Sequence, residues 1–389
     1  MTLLKRIFNF FASYGFAVVV LSLLLVLTFF GTLEQRDHGL YEVQKRYFES
    51  VIVVHDLFGV IPVPLPGVYL LLGLLLINLT CGAILRAPKD WRRPGMLVAH
   101  FGIIFMIISG FVTYHYSLSG HMTLYPRNSS SHFASYFEWE VSVRALGGDA
   151  PKEWRIPHEK IGNLQPNQTR VFHAAGLPFD LMVEGFRRNT IPAPAESGAG
   201  AAATTGVDSV LLEDRPLEKD AEQNVAGAYA TVLPKGGTPQ KGILWGFSRQ
   251  PWLTTVDGVT YAIDLRHTQM PLPFMITLDE FKRELHPRTG MASNFESRVT
   301  KIEDGTGTQV EIKMNEPLRH RGYTLFQAGW GPEGAGPETP LYSTFAVVKN
   351  PADQWPLYSC IIIAAGLLFH FLQRLVGYLR AENRRRLAT

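Results

Sequence analysis

Cysteine is nearly absent from this chain. Its 389 residues include only Cys81 and Cys360, and neither belongs to a CxxC or CxxCH pattern. That excludes a redox dithiol, a covalent c-type heme site and a cysteine zinc cluster. Both lie in apolar runs and read as small packing residues. The long stretch between them contains no cysteine, so it must rely on its own core rather than on disulfides. Nucleophile and nucleotide signatures are missing too: there is no GxSxG, Walker loop, HExxH or dinucleotide fingerprint. The glycine-rich stretches Gly198–Gly206 and Gly329–Gly336 read as loops. Net charge is only +3, with 37 basic and 34 acidic residues. The basic residues sit in short runs rather than on a broad face, which excludes nucleic acid as a partner. No internal repeat is evident.

Charge is also locally absent, and there the chain becomes informative. The run Pro94–Pro126 carries no Asp, Glu, Lys or Arg, and its apolar heart is Met96–Tyr114. Three more apolar runs are long enough to cross a bilayer, which takes about 20 residues: Tyr14–Leu33, Gly67–Leu85 and Pro356–Gln373. The first is too long for a signal-peptide core and no small-x-small cleavage site follows it, so it reads as an uncleaved helix. Mean hydropathy of +0.05 fits a chain that is part lipid-embedded and part aqueous. Lys5 and Arg6 precede the first run. Arg86, Lys89, Arg92 and Arg93 separate the second from the third. Arg374, Arg380, Arg384, Arg385 and Arg386 follow the fourth. By the positive-inside rule these places are cytoplasmic.

The expected fold is an integral membrane α-helical protein with four transmembrane helices, N-in/C-in. A large extracytoplasmic β-rich domain is inserted between helices three and four. The expected order is a cytoplasmic N-terminus (1–13), helix one (14–33), an extracytoplasmic amphipathic loop (34–66) and helix two (67–85). A cytoplasmic basic loop (86–95), helix three (96–114) and the outer domain (115–354) follow. Helix four (355–373) and a cytoplasmic basic tail (374–389) close the chain. Gly39–Phe58 mixes apolar and charged residues at helical spacing, which predicts an amphipathic helix on the outer membrane surface or under the outer domain. In the outer domain Phe137, Trp139, Val141 and Val143 alternate with polar residues, as do Phe179, Leu181 and Val183, and Val310, Ile312 and Met314. That period predicts strands with one buried face. Thr277–Leu285 carries a cap-and-Glu signature that predicts a short helix. Asn189–Gly206, rich in Ala, Pro, Gly and Thr, has too little bulk for a core, and 189–226 reads as a flexible insertion.

Histidines supply the candidate chemistry. His100 lies about 9 Å into helix three, counted from Pro94, and His370 about 6 Å above the inner edge of helix four. His115 lies about 22 Å beyond His100, at the outer surface. Titratable groups within a membrane are costly and mark working sites. A neutral imidazole there serves as an iron ligand, a proton relay or an interhelical hydrogen bond. His100, His370 and His115 are therefore the heme-ligand candidates, with no other metal site expected. The outer histidines His121, His132, His158, His173, His267, His286 and His320 read as solvated or capping groups, and His38 and His55 as groups near the outer leaflet. Arg319, His320 and Arg321 form a basic run able to meet heme propionates or an acidic partner.

The order of short motifs is more specific. GTLEQ (Gly31–Gln35) ends helix one and NLTCGAILR (Asn78–Arg86) ends helix two. AHFG (Ala99–Gly102) lies in helix three, and SGHMTLYPRNSS follows it. Pro273–Thr300 and NEPLRHRGYTLFQAGW (Asn315–Trp330) close the outer domain. In this the chain resembles the ResB/CcsB family of System II cytochrome c biogenesis. The resemblance implies a heme-handling subunit of a synthase complex, serving apocytochrome c with a CcsA/ResC-type membrane partner. Thiol-reducing maturation proteins are further possible partners. It implies that His100 is a ligand to a transient, non-covalent b-type heme, with the opposing imidazole from the partner. The tryptophan-rich WWD signature of that partner is absent, so the chain would be a non-catalytic or co-catalytic subunit, with no catalytic residue of its own. The implied location is a bacterial inner (cytoplasmic) membrane, with the large domain on the periplasmic side. Two other classes stay open: a self-contained b-type electron-transfer anchor ligated by His100 and His370, and a heme-free scaffold.

Overall fold

A computed structural model describes residues 2–57, 60–86, 94–147, 152–194, 210–285, 292–332, 335 and 339–387. The expected cytoplasmic cations Lys89, Arg92 and Arg93, the loop Gly198–Gly206 and His286 lie outside the described residues. The chain forms two compact units, Met1–Leu118 with Asn350–Thr389, and Ser119–Lys349.

The first unit is helical. Helices α1 (Leu3–Phe11) and α2 (Tyr14–Val43) are joined at Ser13, whose hydroxyl accepts the Phe16 N–H and caps α2. A π-helical turn, Gln44–Phe48, extends α2. Strands β1 (Ile52–Leu57) and β2 (Ile61–Pro66) form a hairpin. Helix α3 (Val68–Asn78) continues as a π-helical stretch Leu79–Leu85. Helix α4 spans Pro94–Tyr116; a single turn, α5 (His158–Ile161), belongs to the second unit, and the last helix, α6, spans Trp355–Arg386. Four of these segments are long and apolar enough to cross a membrane: Tyr14–Phe48, Val68–Leu85, Pro94–Tyr116 and Trp355–Arg386.

Two expectations change here. The helix starting at Tyr14 runs past Leu33, kinked at Gly39, whose φ of 75° and ψ of 168° leave the helical region. The expected amphipathic helix Gly39–Phe58 therefore ends at Phe48, and its second half is β1. The β-branched run Val51–Val54 faces prolines 62, 64 and 66 across the hairpin: Ile52 pairs with Pro66 and Val54 with Pro64. Proline cannot propagate a helix and, lacking an N–H, leaves β2 with an edge that cannot pair further. The expected basic tail 374–389 is not separate either, because α6 continues through it to Arg386.

Beside an apolar cluster of Val20, Leu27, Tyr47, Val53 and Leu71, small and polar residues join the helices of this unit. Asn78, buried, donates from Nδ2 to Phe11 O at 2.6 Å and Ser13 O at 3.2 Å, tying α3 to the α1–α2 joint. Helices α4 and α6 run antiparallel along Gly95, Ala99 and Gly102 against Ile362, Ile363, Gly366 and His370. Phe105 stacks on Trp355 at 5.3 Å.

The second unit is β-rich. Its main sheet has ten strands in the order β15 (Thr306–Lys313), β14, β13, β4, β3, β18 (Tyr342–Lys349), β17 and β16 (Leu318–His320), with β12 (Trp252–Val256) added to β13 and β5 (Glu153–Ile156) to β4. The strands that matter below are β3 (Leu118–Leu124), β4 (Ser129–Leu146), β13 (Val259–Leu285), β14 (Ala292–Glu303) and β17 (Tyr323–Gly331). A four-stranded sheet in the order β11 (Gln240–Trp245), β10 (Gly227–Pro234), β7 (Phe179–Arg187) and β6 (Thr169–Phe172) packs its Phe179, Leu181, Val183, Ala230 and Val232 onto Val141, Val143, Ile263 and Leu265 of the main sheet. A second core gathers Phe133, Phe274, Ile276, Leu278, Val299, Ile312, Phe345 and Val347.

The expected helix Thr277–Leu285 is instead the end of β13, paired with β14 from Met275↔Ile302 to Glu284↔Asn294. Phe274, Ile276 and Leu278 are buried at period two, so a strand fills the core and a helix would not. The expected flexible insertion 189–226 holds structure at its described edges: β8 (Thr190–Pro194) pairs with β9 (Val210–Asp214). Leu212 is buried and its N–H donates to Tyr229 Oη at 2.8 Å. Met314, expected on a buried face, is exposed.

Candidate functional site

His100 stands on α4 as expected, on a particular face. Gly95, Ala99 and Gly102 press against the α6 backbone, and His100, five residues past Gly95, is turned about 140° from that seam. Ile107, two turns on and on the same face, packs into the α2–α3 cluster. Phe111, one further turn on, meets Tyr69 of α3 at 5.0 Å, ring centre to ring centre. His100 lies eleven residues before Phe111, about 16 Å down the helix. Counting the same rise down α3 from Tyr69 reaches about Thr80, inside the π-helical stretch Leu79–Leu85. Such wide turns gather at functional sites.

The imidazole is half-buried. Its Nδ1 lies 2.7 Å from Met96 O, one turn back. A carbonyl only accepts, so Nδ1 carries the proton and donates. Nε2 is then the bare nitrogen. Ligating histidines are held this way, one ring N–H tied to a carbonyl and the other nitrogen free for the metal.

His370 does not face His100. A Cβ built on Gly95 would lie 2.6 Å from His370 N and 2.5 Å from Gly366 O, so at this level the two helices touch backbone to backbone. No porphyrin fits between them. His115 is exposed, its Nε2 2.9 Å from the Tyr69 hydroxyl. It links α3 to α4 and is not brought to His100.

The basic run 319–321 is partly neutralised by Glu303. His320 Nε2 lies 2.8 Å from Glu303 Oε2 and Arg321 Nε 2.6 Å from Glu303 Oε1. Arg319 Nη1 donates to Thr324 Oγ1 at 3.2 Å. The His320 hydrogen bond and the Arg321 charge hold the Glu303 carboxyl below its ordinary range. An incoming propionate would have to displace Glu303.

Two outer histidines expected to be solvated or capping, His121 and His267, are not, and His55, expected near the outer leaflet, is packed inside the first unit. His55 is buried, stacked on Phe30 at 4.3 Å, with Nδ1 2.5 Å from the buried Tyr47 hydroxyl and 3.7 Å from Glu34 Oε1. His121 of β3 and His267 of β13 have ring centres 5.7 Å apart, and Trp139 covers His267 at 3.9 Å. Burial lowers both histidines, His267 to about 4, and pushes the neighbouring Tyr136 hydroxyl up to about 12. No spacing rule could find this pair, because the two residues come from different strands on either side of β4. His173 is exposed as expected, beside Asp180 at 2.7 Å.

Four apolar membrane-length helices and a cysteine-free β unit in the same chain define a multi-pass membrane protein with a β-rich domain. The ResB-like family model matches residues 82–341. The chain belongs to that family. It is 20% identical over 310 residues to protein NrfI of Wolinella succinogenes, 78% of this chain and 30% of the relative. It is 33% identical over 121 residues to the cytochrome c biogenesis protein CcsB of Synechococcus sp. (strain CC9902), 31% of this chain and 28% of the relative. Over 70 residues it is 39% identical to the CcsB of Prochlorococcus marinus (strain NATL1A), 18% of this chain and 16% of the relative. The chain thus spans under a third of the length of these relatives.

Proposed function

We propose that this protein is a subunit for cytochrome c biogenesis that holds heme, as cargo, through His100 Nε2 while a CcsA-type membrane partner closes the other side. The observation that carries the reading is the Nδ1–Met96 O hydrogen bond, which leaves one nitrogen of a mid-span histidine bare. Heme supplies an iron that accepts a neutral imidazole at low dielectric. The chain's own contribution is to fix the tautomer and orientation of that ring and to present it away from α6. The backbone seam between α4 and α6 argues against a second ligand from His370 and so against a self-contained electron-transfer anchor. The opposing ligand then comes from the partner.

In this reading the N- and C-termini are cytoplasmic and the β unit lies on the periplasmic side of a bacterial inner membrane, where it meets apocytochrome c and the thiol-reducing proteins that prepare it. The relatives named cytochrome c biogenesis proteins, and the basic residues at the chain's two ends, support this.

The test uses the protein purified with its membrane partner. His100→Ala lowers the heme retained, and added imidazole restores part of it. His370→Ala leaves heme content and spectrum unchanged. An alanine at 100 with unaltered heme content and ligation overturns the proposal, and loss of the spectrum in His370→Ala would revive the self-contained anchor.

A further inference from the structure

The two layers of the β unit meet differently at their two sides. Where β11 approaches β12, the seam is shut. The Trp252 ring lies against Gly242, where a Cβ would come within 2.2 Å of it, and Thr254 Oγ1 donates to Gln240 Oε1. Where β5 approaches β6, a cavity of about 350 Å³ stays open. Its floor is core: Val143, Leu177 and Leu181 are buried. Trp154 and Phe172 wall it, and the indole N–H of Trp154 is already given to Ala175 O at 3.1 Å. Water on such a floor finds too few polar partners, and the lining suits an apolar guest.

The cavity follows a strand edge. All four residues of β5, Glu153, Trp154, Arg155 and Ile156, line it. Side chains alternate faces along a strand, so a hollow over one face would touch every second residue. Touching all four places it beside the strand, where a next strand would lie. β5 pairs with β4 alone, as Val143↔Trp154 and Ser142↔Arg155. Ala145 N–H donates to Lys152 O at 3.1 Å, and hydrogen-bonded pairs alternate along an antiparallel ladder. The backbone groups of Trp154 and Ile156 therefore turn to β4, and those of Glu153 and Arg155 turn outward. Among the described residues these outward groups have no backbone partner.

An unpaired edge is a template for another chain, and charge on the edge is the usual guard. Here that guard is cancelled, because Glu153 holds both Arg155 and Arg266 at 2.9 Å. Arg155, Lys160 and His173 line the cavity against a single acid, Glu153. Asp180 meets His173 at 2.7 Å, which leaves exposed Lys160 as the charge for a guest to answer.

We infer that the free edge of β5 is a docking site for an extended segment of a partner polypeptide. The segment adds as a strand and exchanges hydrogen bonds with the backbone of Glu153 and Arg155. It sends a bulky apolar side chain onto Val143 and Leu181, and an acidic residue meets Lys160. A chain still unfolded when it reaches the β unit is such a partner. The site lies wholly within that unit and does not depend on His100.

The probe is a fluorescein-labelled heptapeptide alternating glutamate with phenylalanine. It is titrated by anisotropy against the full-length protein in lipid nanodiscs, with empty nanodiscs as the blank. Wild type and His100→Ala bind it equally. Arg155→Pro removes an outward N–H and weakens binding by about tenfold, whereas Arg155→Met keeps that N–H and binds as wild type does. Ala174→Phe fills the cavity and abolishes binding. N-methylation of every second peptide amide abolishes binding in one phase and spares it in the other, as strand pairing requires. That pattern is read on wild type, so it stands even where Arg155→Pro fails to fold. No peptide binding, equal binding by Arg155→Pro and Arg155→Met, or loss in both methylation phases overturns the inference. Uptake of naphthoate without the peptide also overturns it and gives the cavity to a small amphipathic acid.

Discussion

The seam between α4 and α6 decides where a porphyrin can and cannot sit, and paired glycines test it. A Cβ on Gly366 would lie 2.6 Å from Ala99 N, 2.8 Å from Gly95 O and 3.0 Å from Ala99 Cα. All three are backbone atoms and cannot swing away. Ordinary contact begins near 3.4 Å, so Gly366→Ala forces the helices apart by about 0.4–0.8 Å. A gap of that order forfeits about a quarter or more of each dispersion well along the seam, and overpacking of this kind costs about 1–3 kcal/mol. Gly377, on the same helix, has nothing within 4 Å of its would-be Cβ. There alanine only adds helix propensity, about 0.5–1 kcal/mol. The two alanine variants of α6 should therefore differ by about 1.5–4 kcal/mol. On α4, Gly95→Ala and Gly110→Ala should split the same way, since Gly110 also faces open space. The assay is reversible unfolding in mixed micelles, read by helical circular dichroism. Equal stabilities for Gly366→Ala and Gly377→Ala would refute the packed seam and reopen a heme site between the two helices.

Other perturbations probe the remaining groups. Arg266 Nη2 lies 2.9 Å from both Glu140 Oε1 and Glu153 Oε1, and Glu140 is 3% exposed; Arg266→Met strands a buried carboxylate and should cost about 3–5 kcal/mol. Thermal melts should fall by about 10 °C and recover when Glu140→Gln is added; a change of under about 2 °C would count against the network. Tyr47→Phe removes the hydroxyl that meets His55 and should cost about 1–3 kcal/mol in the helical unit, measured by the same micelle unfolding; no change would mean His55 finds another partner. Burial alone would raise Glu153, but hydrogen bonds from Arg155 and the charge of Arg266 outweigh it and lower it below 4.5. That stabilisation is present above pH 4.5 and is lost as pH falls through the lower folded value. Denaturant midpoints of wild type should fall over that window more steeply than those of Glu153→Gln, and parallel profiles would contradict the assignment.

The membrane-length helices were legible because their signal is one-dimensional: uncharged runs of Val68–Leu85 or Pro94–Tyr116 need no partner to be recognised. The strands around Phe179 and Ile312 were legible for the same reason. Failures arose where a long-range contact overrode a local rule. Thr277–Leu285 carries helix-start chemistry, yet its Leu278, with Ile276 just before the segment, completes a core built with Val299 and Phe345. Glu140 and Ser142 alternate with apolar neighbours and read as solvent-facing, yet both are buried, because the second face of β4 is also covered. Arg319, His320 and Arg321 read as a free cationic run because Glu303, its neutraliser, is distant in sequence and arrives only with β14.

The His100 ring uses a device that residue identity alone does not reveal: one N–H tied to a main-chain carbonyl, the other nitrogen bare. For His100 the carbonyl is Met96 O, four residues back in the same helix. Any helical histidine in the right rotamer finds that acceptor, so the tautomer is set by α4 alone and survives changes elsewhere. His267 is held differently: Trp139 covers its ring at 3.9 Å, and Ser135 Oγ accepts two backbone N–H groups of the β4 bulge beside it. The setting of one imidazole is therefore a property of a helix, that of the other of a fold.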